Sequence, residues 1–133
     1  MDISTLRCCE VQVTSTKTGE SLAQFAVQQG DVFIADRGFA NRRGVNHVLD
    51  GGGDILVRMN LSSLPLRDEQ GSPFEPLAQL RTLQPGQTGE WPAVMQGSKG
   101  DIAVRVCAYR KTDEQINKSF RLRERHLYKV PNA

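Results

Sequence analysis

The sequence predicts an α/β fold, and three observations carry that prediction. An unbroken apolar run, Val32-Phe33-Ile34-Ala35, stops at Asp36. The segment over 41–49 then places Val45, Val48 and Leu49 on one helical face and is closed by Gly51-Gly52-Gly53, and a second apolar run, Ile55-Leu56-Val57, follows. Short apolar runs bounded by turn residues read as strands covered on both faces, and the 3.6-residue period between them as an amphipathic helix. Strand, helix and strand in so short a compass form a βαβ unit, with parallel strands and a right-handed crossover. In such a sheet the carboxyl ends of the strands form the ligand crevice, which puts Asp36 at the edge where chemistry is expected.

The other elements follow in chain order. Residues 7–14 alternate Cys9, Val11 and Val13 with Cys8, Glu10 and Gln12, the period-two pattern of a half-buried strand, and residues 16–19 turn the chain. Residues 20–29 carry Leu22, Phe25 and Ala26 at helical spacing and stop at Gly30. After the βαβ unit, Pro65, Gly71, Pro73, Pro76, Pro85, Gly86, Gly89 and Pro92 punctuate short segments, so turns dominate. Pro76 starts a short helix through Leu77, Leu80 and Leu83. Residues 91–96 and 102–109, joined by Gly97-Ser98-Lys99-Gly100, read as a β-hairpin whose second strand turns Ile102, Val104, Val106 and Ala108 away from Arg105, Cys107 and Tyr109. Thr112 and Gln115 have capping-box spacing, and Asp113 and Glu114 suit the positive end of a helix. That last helix gathers Ile116, Phe120 and Leu127 on one side and Lys118, Arg121, Arg125 and Lys129 on the other.

A chain of 133 residues suffices for one domain with a single core. Its 38% hydrophobic and 24% charged residues are globular values, with no sign of disorder, collagen or a membrane span. The start, Met1-Asp2-Ile3-Ser4, has neither the basic nor the apolar part of a secretion signal, so a cytoplasmic protein without membrane association is expected. Cys8, Cys9 and Cys107 make neither an even disulfide framework nor a Cys-x-x-Cys pair and read as reduced, mostly packing thiols. Charge is unevenly spread: residues 1–104 hold 9 Lys/Arg against 12 Asp/Glu, a balance of −3, and residues 105–133 hold 8 against 3, a balance of +5.

The block from Thr18-Gly19-Glu20-Ser21-Leu22, through Gly30-Asp31-Val32-Phe33-Ile34-Ala35-Asp36-Arg37-Gly38-Phe39, to Val57-Arg58-Met59-Asn60 resembles bacterial insertion-sequence transposases of the DDE type, specifically the IS-four-like group. The resemblance covers nearly the whole chain, and Asp-Arg-Gly-Phe with the downstream Val-Arg is its most specific part. It implies an α/β, incomplete ribonuclease-H-like fold with a β-rich insertion. A partial core of strand, helix, strand, helix and strand would occupy 1–60, the insertion 61–111 and a basic helix 112–133. It implies a bacterial, nucleoid-associated parent enzyme that cleaves and joins double-stranded transposon-end DNA, using two Mg²⁺ (or Mn²⁺) ions held between three carboxylates. Hard cations need several oxygen ligands, and two of them about 4 Å apart stabilise the attacking and leaving oxygens of an in-line displacement.

Asp36 matches the second of the three acids, as both catalytic and metal-binding residue. The resemblance places the first acid on a strand before Met1 and the glutamate, in a Tyr-x-x-Arg-x-x-x-Glu helix, after Ala133; Tyr128 has no partner residues at that spacing. The chain is therefore expected to be an internal fragment, catalytically incomplete alone. Without its neighbour the first apolar strand keeps an unpaired edge, which favours marginal stability or a homodimer.

Arg37, Arg42, Arg43 and Arg58 near the predicted site, and Lys118, Arg121, Arg125 and Lys129 on the last helix, are the candidate DNA contacts. Each has a plainer reading: Asp36 as the cap of the following turn, Arg58 as an exposed strand residue and the basic helix face as merely solvated. His47 and His126 have no ligand pattern, Trp91 reads as an anchor of the hairpin core, and Glu20 as a residue that orients a helix start. The alternative function is a non-enzymatic DNA-binding or dimerising transposase remnant. A third is an unrelated α/β domain whose Asp36 binds another ligand or accepts a phosphoryl group.

Overall fold

In the computed structural model, which describes residues 1–15 and 17–127 with side chains as far as residue 120, Asn41 starts the central helix. Its Oδ1 accepts the Gly44 N–H at 2.8 Å, and α1 (Arg42–Asp50) ends where the Gly51 N–H donates to the His47 carbonyl. An Asn at this position satisfies one of the donors that every helix start leaves over. The chain then reverses through the glycines. Gly52 takes φ of +82°, a left-handed conformation that costs glycine little, and Gly53 is buried where an added Cβ would lie 3.1 Å from Val27 and Val48.

That reversal sets β1 (Val32–Ala35) beside β2 (Asp54–Val57) in parallel, with Val32 opposite Asp54 and Ala35 opposite Val57. The expected strand, helix and parallel strand are all present. Coverage differs from expectation, because α1 packs on one face only. Phe33, Ala35, Ile55 and Val57 are half-buried, whereas Val32, Ile34 and Leu56 are 65%, 63% and 63% exposed.

A second sheet, antiparallel in the order β3-β4-β5, is formed by β3 (Leu66–Arg67), β4 (Thr88–Gln96) and β5 (Asp101–Tyr109). The hairpin of β4 and β5 has the expected turn, pairs Thr88 with Tyr109 at its base, and shows the expected alternation along β5. The two-residue β3 pairs Leu66 with Met95 and is too short to register as a sequence pattern. Pro76 opens α2 (Pro76–Arg81) as expected, with Leu83 buried just beyond it. The capping box also forms: the Gln115 N–H donates to Thr112 Oγ1 and the Thr112 N–H to Gln115 Oε1, starting α3 (Asp113–Leu127). Among the described residues no helix is long and apolar enough to cross a membrane.

The core joins both sheets. Ala40 and Val45, from the βαβ part, cluster with Leu64, Leu66, Phe74, Ala93, Met95 and Val106 from the segments after residue 60. Trp91 packs against this cluster as an anchor of the hairpin.

Two expected elements do not form. Residues 8–14 are irregular, with Val11 72% and Val13 93% exposed and only an isolated Asp2–Arg7 bridge nearby. Alternation alone does not hold a strand, and no neighbour pairs with this one among the described residues. Cys8, Cys9 and Cys107 are accordingly free thiols, but all three are exposed and none is a packing residue. The expected helix over 20–29 contracts to a 3-10 turn at Leu22–Gln24, after which Phe25 is extended. A tertiary bond holds it so: His47 Nε2 meets the Phe25 carbonyl at 2.8 Å, and Leu22 is buried beside Gly44 of α1. A ten-residue helix is marginal alone and yields readily to such contacts.

Candidate functional site

The site grows out of the parallel register. Since Ala35 pairs with Val57, the residues that leave the two strands, Asp36 and Arg58, stand side by side at the carboxyl edge. Asp36 Oδ1 accepts the Arg37 N–H at 2.7 Å, which caps a 3-10 turn over Arg37–Phe39. The same oxygen accepts from Arg58 Nη1 at 2.8 Å. Capping and the strand-end carboxylate, alternative readings of Asp36 in the sequence, thus coexist in one side chain. The Arg58 N–H also reaches the Ala35 carbonyl at 3.3 Å, extending the ladder by one bond and fixing where the guanidinium begins.

Both side chains are open to solvent, Arg58 at 74% and Asp36 at 67%. The Arg37 N–H, aided by the charges of Arg58 and Arg37, holds the Asp36 carboxyl below the ordinary value of 3.8 against the opposing effect of desolvation. A depressed folded value makes the carboxylate contribute stability above the unfolded value, lost as pH falls through the folded one. A carbon-detected NMR titration is therefore expected to show Asp36 titrating below 3.8. In Arg58→Ala its midpoint should move up, still short of 3.8, because the larger influence of the Arg37 N–H remains.

The Asp-Arg-Gly-Phe segment closes against an acid eighteen positions earlier: the Glu20 carboxylate, the end of an exposed side chain, lies where a Cβ on Gly38 would be. The Asn41 side chain also donates to the Glu20 carbonyl at 3.5 Å, so Glu20 sits at the entry to α1; the helix it was expected to start does not form, and Ser21 caps the 3-10 turn in its place. The approach of Glu20 to Gly38 has no signal in the sequence spacing.

Arg37, Arg42 and Arg43 are exposed. By the order strand, turn, helix they lie on the segment leaving the carboxyl edge of β1, with Arg42 and Arg43 in the first turn of α1. Cations there oppose the positive end of the helix dipole, so helix stability does not account for them. Lys118 is exposed on α3, which among the described residues has no substantial packing against β1, β2 or α1, so the structure does not join it to Asp36. The side chains of Arg121 and Arg125, and Lys129 entirely, lie outside the described residues.

The acids present do not fit a pair of divalent ions. Among the described residues no group of three or more His, Cys, Asp or Glu side chains converges, and Asp36 already spends one oxygen on Arg37 and Arg58. What the arrangement offers by itself is one exposed carboxylate oxygen, Oδ2, bordered by guanidinium groups.

Over 101 residues, 75% of its length, the chain is 31% identical to the transposase for insertion sequence element IS421 of Escherichia coli. Identity and coverage are the same for InsL of Escherichia coli K12, assigned as a transposase of insertion sequence element IS186A. The chain spans about a quarter (27%) of the length of these curated relatives. No protein family model and no solved structure matches it. The sequence is thus similar to part of insertion-sequence transposases.

Proposed function

We propose that this chain is the portion of a DDE-type insertion-sequence transposase, of the IS-four-like group, that supplies one metal-binding carboxylate and a basic surface for double-stranded transposon-end DNA. The observation that carries the proposal is Asp36 at the carboxyl edge of a parallel strand pair, flanked by Arg37 and Arg58. In this reading β1, α1 and β2 belong to a ribonuclease-H-like core, and residues 61–111 are a β-rich insertion that packs on it through the shared cluster.

Phosphoryl transfer at DNA needs charge compensation at the phosphate, which a pair of Mg²⁺ or Mn²⁺ ions supplies in enzymes of this type. The chain's own contribution is narrower. Arg37, Arg42 and Arg43 attract and orient the backbone, and Arg58 holds the Asp36 carboxylate at the strand edge.

The absence of a converging acid cluster among the described residues favours a second reading, a DNA-binding remnant without catalysis. One pair of assays tests both. The chain is expected to bind duplex DNA with a strong salt dependence, and to leave supercoiled DNA uncut with either metal, as is Asp36→Ala. Nicking that Asp36→Ala abolishes would assign a complete site to this chain and sink the second reading; failure to bind duplex would sink both.

A further inference from the structure

We propose that the Asp36–Arg58 pair is a latch that a phosphate group opens: the phosphate takes the Arg58 guanidinium from Asp36, one anion replacing another on a single cation. The latch belongs to the same site as the DNA reading and rests on it for the source of the phosphate.

The parallel register fixes the base of the latch. Ala35 lies opposite Val57, and the Arg58 N–H reaches the Ala35 carbonyl at 3.3 Å, so the backbone keeps Arg58 beside Asp36 whether the ion pair is closed or open. The contact itself is slender. Arg58 gives Oδ1 a single bond, from Nη1, and that oxygen also accepts the Arg37 N–H at 2.7 Å. A guanidinium carries several N–H donors in a planar fork, and among the described residues the others on Arg58 have no acceptor. A phosphate accepts two of those donors side by side, which a carboxylate oxygen already shared with a backbone amide does not match.

Opening costs little. Both side chains face solvent, Arg58 at 74% and Asp36 at 67% exposed, so water receives the released carboxylate, and exposed ion pairs hold only weakly. Asp36 also keeps the Arg37 N–H, so the turn over Arg37–Phe39 stays capped. While closed, the pair is neutral, and Arg58 is open only to a ligand that binds it more strongly than Asp36 does.

A double-mutant cycle on duplex DNA affinity at low salt, read by fluorescence anisotropy with the full chain, tests the latch. Asp36→Asn removes the charge and keeps an oxygen for the Arg37 N–H; both positions are exposed, and circular dichroism checks that each variant folds. Arg58→Ala should weaken binding and make the slope of log affinity against log salt shallower by about 0.9, as loss of one phosphate contact does. Asp36→Asn should tighten binding by roughly twofold to fivefold more with Arg58 present than in the Arg58→Ala background, the range that an exposed ion pair supplies. Equal tightening in both backgrounds overturns the latch, because Asp36 then acts only as a repelling charge. Weaker binding by Asp36→Asn overturns it too, because Asp36 then aims Arg58 at the phosphate.

Inorganic phosphate, added stepwise while the Arg58 side-chain nitrogens are followed by NMR, separates the two sources. The Arg58 resonances should shift in wild type, and in Asp36→Asn at roughly twofold to fivefold lower phosphate. A chain that gives this response but does not bind duplex keeps the latch, with free phosphate as its ligand, and loses the DNA reading. Arg58 resonances that stay fixed with both duplex and inorganic phosphate overturn the latch, while measured duplex affinity leaves the DNA reading in place.

Discussion

Met95→Ala is expected to destabilise the chain by about 2–5 kcal/mol, the range for truncating a large buried aliphatic side chain. Met95 is 1% exposed and lies in the middle strand of the antiparallel sheet, opposite Leu66 on one side and Ile102 on the other. It belongs to the cluster that also holds Ala40 and Val45, so its loss loosens both sheets at once. A pocket of about 160 Å³, open to the surface at the exposed Leu56 and Arg105, adjoins it and is lined also by Val45, Val57 and Val104. Domains of this size have roughly 5–15 kcal/mol in total, so urea denaturation should show a large drop in midpoint. Met95→Leu, close in volume, should cost less than about 1.5 kcal/mol. A Met95→Ala midpoint close to that of the leucine variant would mean that the two sheets do not share one core.

What the sequence discloses and what it hides separate along a physical line. Elements specified by neighbours in the chain are legible: the triple-glycine reversal, the Thr112 and Gln115 capping box, the Pro76 helix start and the hairpin of β4 and β5. Each rests on interactions spanning a few residues or on a tight turn, and these leave a periodic or compositional trace. Elements that depend on a distant partner are not legible in that way. Residues 7–14 alternate like a strand yet have none to pair with among the described residues, and residues 20–29 have helical spacing yet are drawn out by His47, some twenty positions away.

The site divides in the same way. Asp36 is marked by the run that ends at it, because a strand-end acid is a local pattern. Its partner Arg58 is visible only through a family resemblance, and the register explains why the two meet. Glu20 above Gly38 is a tertiary contact that no spacing encodes. The half-covered sheet is also out of reach, since an apolar run reads the same whether one face or two are packed.

Replacing Arg37, Arg42 and Arg43 together by alanine is expected to weaken duplex DNA binding by on the order of tenfold to a hundredfold at low salt. Placement is the reason: all three are exposed, and their segment leaves the edge that carries Asp36. The slope of log affinity against log salt should become shallower by about 2 to 3, since each phosphate neutralised by a cation adds about 0.9 to it. Folding should be untouched or slightly improved, because two of the three cations oppose the dipole of α1. Arg67→Ala is the contrast. Its guanidinium is held by Asp101 at 2.6 Å on the second sheet, so its removal should leave both affinity and slope near wild type. Asp36→Ala should act the opposite way to the triple variant, tightening binding modestly, because it removes an anion and releases Arg58 toward the backbone. If the triple variant and Arg67→Ala weaken binding equally, binding is a diffuse effect of net charge and the carboxyl edge is not the DNA surface. If the triple variant alone weakens it, the strand-end carboxylate and the phosphate backbone share one edge, as nuclease chemistry at Asp36 requires.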